Sequence, residues 1–163
     1  MNELIIDAHS HLWKEQNTVW NGKEIRQMPN GRSMFLGEEV QMCPPFMIDG
    51  KNTAEVFLSN MDYAQVAAAV VTQEFIDGIQ NEYSAEVHKK YGDRLLCMAM
   101  LDYMDKENDN HDALAYKTLV HADMGFKGIA IPGHRIYKNG ERMALNSDMF
   151  VNMFRVMERK GMI

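Results

Sequence analysis

Leu4-Ile5-Ile6-Asp7-Ala8-His9-Ser10-His11 opens the chain as an apolar run that ends in His-x-His. A short apolar run of this length predicts a buried strand. Residues two apart on a strand face the same way. His9 and His11 are therefore expected to present two imidazoles on one face, at the strand's C-terminal end. Neutral imidazole ligates zinc and related divalent ions at about 2.0–2.1 Å, so two such groups can reach one cation. Active sites of parallel α/β folds lie at that same strand end. The competing assignment is one buried, hydrogen-bonded histidine and one exposed one. The place of the pair at the end of the first apolar strand, with Leu12-Trp13 following, favours metal.

Outward from that strand lies a long polar segment, about residues 12–52, punctuated by Gly22, Pro29, Gly31, Gly37, Pro44-Pro45 and Gly50. Such punctuation predicts little regular structure. Trp13, Trp20, Phe35 and Phe46 are too many aromatics for simple disorder, so an ordered covering loop is expected.

A strand–helix rhythm follows. Asn52 and Glu55 resemble a capping pair, and Phe57, Met61 and Ala64 recur at helical spacing. Residues 66–71 form an apolar run read as a strand. Ile79, Tyr83, Val87 and Tyr91 mark a helix stopped by Gly92. A strand over 94–100, a helix over about 110–124, a strand over 126–131 and a helix capped by Ser147 and ended by Gly161 complete the series. Met162-Ile163 begins a fifth strand. Starts near 66, 94, 126 and 162 suit single βαβ units of a parallel sheet. No GxGxxG follows the first strand and no GxxxxGK[ST] occurs, which weakens a nucleotide-binding fold.

The 163 residues suffice for one domain and one core, and 46% apolar with 25% charged residues is a globular composition. No run approaches the roughly 20 apolar residues of a membrane span. A net charge of −6 argues against nucleic-acid or anionic-membrane partners. The start lacks a signal-peptide pattern, and Cys43 and Cys97 form no CxxC; free thiols in a reducing cytoplasm are expected. The 15 methionines are read as adaptable core packing.

Ile6-Asp7-Ala8-His9-Ser10-His11-Leu12-Trp13 resembles the opening of the amidohydrolase superfamily, and Gly125-Phe126-Lys127-Gly128-Ile129 resembles the fourth strand of its amidohydrolase-related branch, which includes aminocarboxymuconate semialdehyde decarboxylase. The resemblance implies an α/β fold of the (β/α)8 TIM-barrel type, of which this chain covers about the first four βα units. It implies one divalent metal ion, commonly zinc, held by His9 and His11. A further histidine from the fifth strand and an aspartate from the eighth have no counterpart before Ile163. A complete barrel takes about 250 residues. The chain is thus expected to be a single domain over 1–163, the N-terminal half of a metal-dependent hydrolase barrel. It is expected to homo-oligomerise or to need its C-terminal half, and to be inactive as a lone monomer. Lys127 lies at the wrong strand end to bridge two metals, which favours one ion.

Other candidates rank by strand end. His134 and Arg135 follow the fourth strand: Arg135 fits a substrate carboxylate or a loop salt bridge, and His134 fits substrate binding or plain solvation. Trp13 is a candidate pocket wall, as is Trp20, with core packing as the alternative. Arg26 and Arg32 are further candidates for meeting a substrate's negative charge. Gln73, Glu74, Asp102 and Tyr103 end the second and third strands, and Asp7 shares strand parity with the histidines and is a candidate to orient one, with a buried, backbone-bonded carboxylate as the alternative. His88, His111 and His121 are expected on helix surfaces, and both cysteines are expected to be inert. The expected function is metal-dependent hydrolysis of a small amide, ester or lactone through an activated water. A decarboxylase of the same family, and a non-catalytic half-barrel or interaction module, are the alternatives.

Overall fold

The computed structural model describes residues 4–105, 107–108, 110–134, 136–138 and 140–163. The chain divides into two compact units, Met1–Gln80 and Asn81–Ile163. The first contains β1 (Ile6–His11), β2 (Asn17–Trp20), β3 (Lys23–Gln27), β4 (Arg32–Phe35), β5 (Glu38–Gln41), α1 (Ala54–Tyr63) and β6 (Ala68–Thr72). β1 and β6 pair in parallel across α1, as a βαβ unit requires. Asp7 pairs with Ala69 but Ser10 with Val71, so β1 carries a bulge between Asp7 and Ser10. A bulge adds one residue to a strand and re-aims the side chains beside it. Asp7 stabilises it by accepting the His9 backbone N–H at 3.0 Å. The Ser10 hydroxyl donates to the Val70 carbonyl at 2.9 Å.

Residues 12–52 depart from expectation. β2–β5 form a four-stranded antiparallel meander in sequence order, where largely irregular backbone was predicted. The Gly and Pro residues fall at its turns. Asn21-Gly22 and Leu36-Gly37 take positive φ in two-residue hairpin loops, as type I′ turns require. Gly31 has φ +70°, and a Cβ there would strike the carbonyl oxygens of Cys43 and Pro44. The strands were hard to see because Lys, Glu, Arg and Gln fill their outward positions. The helix cap also shifts by one residue: Thr53, not Asn52, caps α1. Asn52 instead exchanges backbone hydrogen bonds with Trp13 and donates its side-chain amide to the His11 carbonyl at 2.8 Å. Leu12, Trp13, Ile25, Met61, Ala69 and Val71 are buried. The entry to β1 is not: Leu4 is 73% exposed, and Ile5 and Ile6 are exposed with it.

The second unit contains α2 (Asn81–Tyr91), β7 (Leu95–Cys97), β8 (Ala99–Met100), α3 (Ala113–Asp123), β9 (Ile129–Ala130), β10 (Tyr137–Lys138), β11 (Glu141–Arg142) and α4 (Asp148–Lys160). The strand expected over 94–100 is split at Met98. The one expected over 126–131 shrinks to β9, because the Phe126 N–H still closes the preceding helix on the His121 carbonyl. β8 and β9 pair in parallel, and β10 and β11 form an antiparallel hairpin that the sequence did not announce. Met149, Phe150, Met153, Val156 and Met157 give α4 its buried face, and Gly161 ends it in the left-handed conformation. Met98, Met100 and Met162 are also buried, so methionine supplies much of this core. The Ile163 N–H donates to Lys127 and its carbonyl accepts from Ile129, the bonding of a new parallel strand beside β9. No helix among the described residues is long and apolar enough to cross a membrane.

Gly128 sits where that last strand begins. A Cβ there would lie 2.5 Å from the Ile163 carbonyl oxygen and would also meet the Met98 sulfur. Gly128→Ala is expected to destabilise by about 1–3 kcal/mol through overpacking, read as a lower midpoint in urea unfolding.

The same core predicts an alkaline limit. Burial pushes the Cys97 thiol up from 9.0 to about 12 and raises the Tyr103 hydroxyl above its usual range. The folded state holds these protons more tightly than the unfolded one. Their contribution is therefore whole below the unfolded values and is lost as pH rises from 9.0 towards about 12. Urea midpoints should fall over that window; a flat profile would contradict it.

Candidate functional site

The bulged end of β1 brings the two histidines together. Their Nε2 atoms lie 3.0 Å apart, with ring centroids 4.9 Å apart and planes at 61°. Two nitrogens each about 2.0–2.1 Å from one ion are about 2.9 Å apart at a right angle and about 3.3 Å apart at the tetrahedral angle. The observed spacing falls inside that span, so the pair fits a shared divalent ion. His9 is exposed and the His11 side chain is 32% exposed, so solvent reaches the pair. The Thr72 hydroxyl, across the ladder on β6, lies 3.4 Å from His9 Nε2. Among the described residues no group of three or more His, Cys, Asp or Glu side chains could hold a metal ion. The pair therefore offers two nitrogens to such an ion.

Behind the pair lies a carboxylate that the sequence reading missed. Asp77 Oδ2 is 3.4 Å from His11 Nδ1, and Gln16 Nε2 donates to Asp77 Oδ1 at 2.5 Å. Asp77 is 6% exposed and Gln16 is buried as well. Asp77 follows β6 in a short 310 turn, Phe75–Asp77. Its place just past a strand's C-terminal end was the available signal; Gln16, on the way into β2, offered none. Asp7 does not take the expected orienting role, because the bulge breaks its parity with the histidines and its carboxylate bonds backbone instead.

The remaining candidates are mostly engaged in structure. Trp13 is buried, with its indole N–H donating to the Gly50 carbonyl at 2.7 Å. Trp20 packs 6.3 Å from Phe75 between ring centres. Gln73 accepts the Gln80 N–H, and Glu74 accepts the Phe75 N–H at the start of the 310 turn. Arg26 pairs with Glu24 and Arg32 with Glu39. Arg26 also lines a cleft with Lys14, Glu15, Gln16, Gln27 and Lys51. Asp102 accepts the Met104 N–H, and the buried Tyr103 donates its hydroxyl to the Ala130 carbonyl at 2.8 Å. His134 is exposed after β9, and Arg135 lies outside the described residues. His111, expected on a helix, lies exposed in the turn just before α3. His88 and His121 are half-buried, each ring lying against a carbonyl, Leu95 and Lys117 respectively. Both cysteines are free, and burial first, then the charge of Asp77, raises the Cys43 thiol.

The family model described as Amidohydrolase matches residues 6–162, and the chain belongs to that family. No curated protein sequence matches it. A probable 2-pyrone-4,6-dicarboxylic acid hydrolase from Acinetobacter baumannii, solved with citric acid bound, shares the fold at TM-score 0.59 and 17% identity. That match covers 97% of this chain and 47% of the other, so the chain spans about half the length of that structure. A 5-carboxyvanillate decarboxylase from Novosphingobium aromaticivorans, solved with bound manganese, matches at TM-score 0.48 and 19% identity over 65% of this chain and 32% of its own.

Trp13→Phe keeps an aromatic ring, smaller than the indole, and leaves the Gly50 carbonyl without its 2.7 Å donor. A buried acceptor deprived of its partner costs about 1–3 kcal/mol. Chemical denaturation should show that loss with no change in metal uptake; an unchanged midpoint would show that water replaces the indole.

Proposed function

We propose that the whole protein is a metal-dependent hydrolase of the amidohydrolase type, acting on a small amide, ester or lactone. The observation that carries it is the 3.0 Å approach of His9 and His11 Nε2 at the C-terminal end of a parallel strand. When bound, one divalent ion, zinc in our proposal, supplies Lewis acidity, lowering the pKa of water and polarising a carbonyl. His9 and His11 contribute their Nε2 lone pairs, and β1 fixes the angle between them. The exposure of His9 leaves the solvent side of the pair open for water and substrate. A catalytic zinc usually keeps three protein ligands, so the remaining ligand and the base are proposed to come from residues outside this chain or from a second copy. The 163-residue chain alone is accordingly proposed to be inactive. The ring-opening of a lactone dicarboxylate is the first reaction to try, because the hydrolase that shares the fold over 97% of this chain is named for one. Arg135 and His134 are proposed to meet a substrate carboxylate, and the two free thiols suit a reducing cytoplasm.

Replacing both histidines by alanine should abolish metal retention while leaving the far-ultraviolet circular dichroism unchanged. Loss of outer-shell partners alone costs about 10–100-fold in affinity, so loss of two direct ligands should cost more. Equal metal content in wild type and double variant, measured by elemental analysis, would refute the metal assignment. In the whole protein, product analysis should show an opened acid with no carbon dioxide; release of carbon dioxide would replace hydrolysis by decarboxylation.

A further inference from the structure

We infer that Asp77, held by Gln16, is a positioning residue that sets the tautomer and orientation of His11 for ligation through Nε2. The inference rests on the metal reading above and deepens it. The His11 ring presents two nitrogens to two different surroundings. Nε2 faces His9 at 3.0 Å, and Nδ1 faces Asp77 Oδ2 at 3.4 Å. His11 Nδ1 is buried and has no aligned hydrogen-bond partner, so the nearby carboxylate is within attraction but off the ring's N–H line. Hydrogen bonds of an unloaded site are commonly long or misaligned and tighten when the site is filled. A carboxylate accepts and does not donate, so it favours a proton on Nδ1 and leaves the Nε2 lone pair free. A histidine ligand generally gives its other N–H to such an acceptor. Asp77 cannot itself join the ion, because it stands on the Nδ1 side of the ring, away from the shared Nε2 position.

Asp77 is fixed for this task from several directions. The short bond from Gln16 Nε2 holds Oδ1 and leaves Oδ2 directed at the ring. Gln16 is anchored in turn: its N–H donates to Gln27 Oε1 at 2.8 Å, and its carbonyl accepts the Gln27 N–H at 3.1 Å. The turn that carries Asp77 is tied to the same stretch of chain. Thr18 Oγ1 donates to the Ile76 carbonyl at 3.2 Å, and Gln80 Nε2 donates to the carbonyls of Asp77 and Glu15. In the metal-free protein the 3.0 Å contact between the two Nε2 atoms needs one donor and one acceptor. With His11 protonated on Nδ1, the donor is His9 Nε2–H. His11 thus stands in its ligand tautomer before any ion arrives, and His9 alone must shift its proton to join.

The test compares the metal-free chain with Asp77→Ala by long-range proton–nitrogen NMR of the histidine rings, followed by zinc titration by calorimetry. Wild type is expected to show His11 as the Nδ1–H tautomer. Asp77→Ala should move it to Nε2–H, the form free imidazole side chains prefer in water, and should weaken zinc binding about 10–100-fold. If removing the buried carboxylate unfolds the protein, Gln16→Leu serves instead: it frees Asp77 without removing it and should give a mixed His11 tautomer and a smaller loss of affinity. An Nε2–H form of His11 in wild type, or a folded variant that keeps Nδ1–H and full affinity, would overturn the inference. Failure of wild type to bind zinc would sink the metal reading instead, while the tautomer comparison still decides the role of Asp77.

Discussion

The bulge between Asp7 and Ser10 is the constraint from which the site follows. An unbroken parallel ladder would keep Asp7, His9 and His11 on one face, with equal steps along β1 and β6. The extra residue breaks that sequence after Asp7, whose pairing with Ala69 is followed by that of Ser10 with Val71. Ser10 turns inward to bond the Val70 carbonyl, and the rings on either side of it converge at 3.0 Å. The Asp7 carboxylate, no longer beside the imidazoles, satisfies the backbone N–H that the bulge would otherwise leave unpaired. One residue of chain thus converts a carboxylate and two imidazoles in a row into a histidine pair with a local brace.

The meander supplies the second half of the arrangement. Its strands are short and largely polar, and a sheet of that kind gains little from burial. Its worth lies in where it places three side chains. Gln16 bonds Asp77, Thr18 bonds the Ile76 carbonyl, and Trp20 packs on Phe75. Each hydrogen bond contributes about 0.5–1.5 kcal/mol net, and together they hold the turn that carries Asp77. An insertion that reads as a covering loop in the sequence is, in this unit, a brace for the residue behind His11.

Much of the parallel framework was legible, because apolar runs and helical spacing report burial directly. The residues 52–64, 66–71, 79–91 and 147–161 gave α1, β6, α2 and α4 with ends displaced by a few residues. The nearness of His9 and His11 was legible from their two-residue spacing at the end of the strand, though not the bulge that sets their approach. The meander was not, since its strands are short and largely polar and its glycines signal breaks as readily as hairpin turns. Asp77 and Gln16 were hidden because their meeting depends on contacts 61 positions apart in sequence. Of the two readings open for Asp7, the backbone-bonded one is observed, because parity along a strand holds only where no bulge intervenes.

The buried carboxylate also links the site's chemistry to its stability. Desolvating an ionised carboxylate costs several kcal/mol unless dipoles or an opposite charge compensate it. Gln16 offers one N–H dipole, and the His11 ring offers another when its proton is on Nδ1. A divalent ion on the two Nε2 atoms would stand one imidazole away from Asp77. Such an ion would polarise the ring and strengthen an Nδ1–H as a donor, which would offset part of what the carboxylate's burial forfeits. Anything bound to the folded state alone also stabilises that state by mass action. Were the proposed ion bound, the Asp77 carboxylate would be better accommodated than in the empty protein, and the free energy that orients His11 for ligation would be the same free energy that loading returns to the fold.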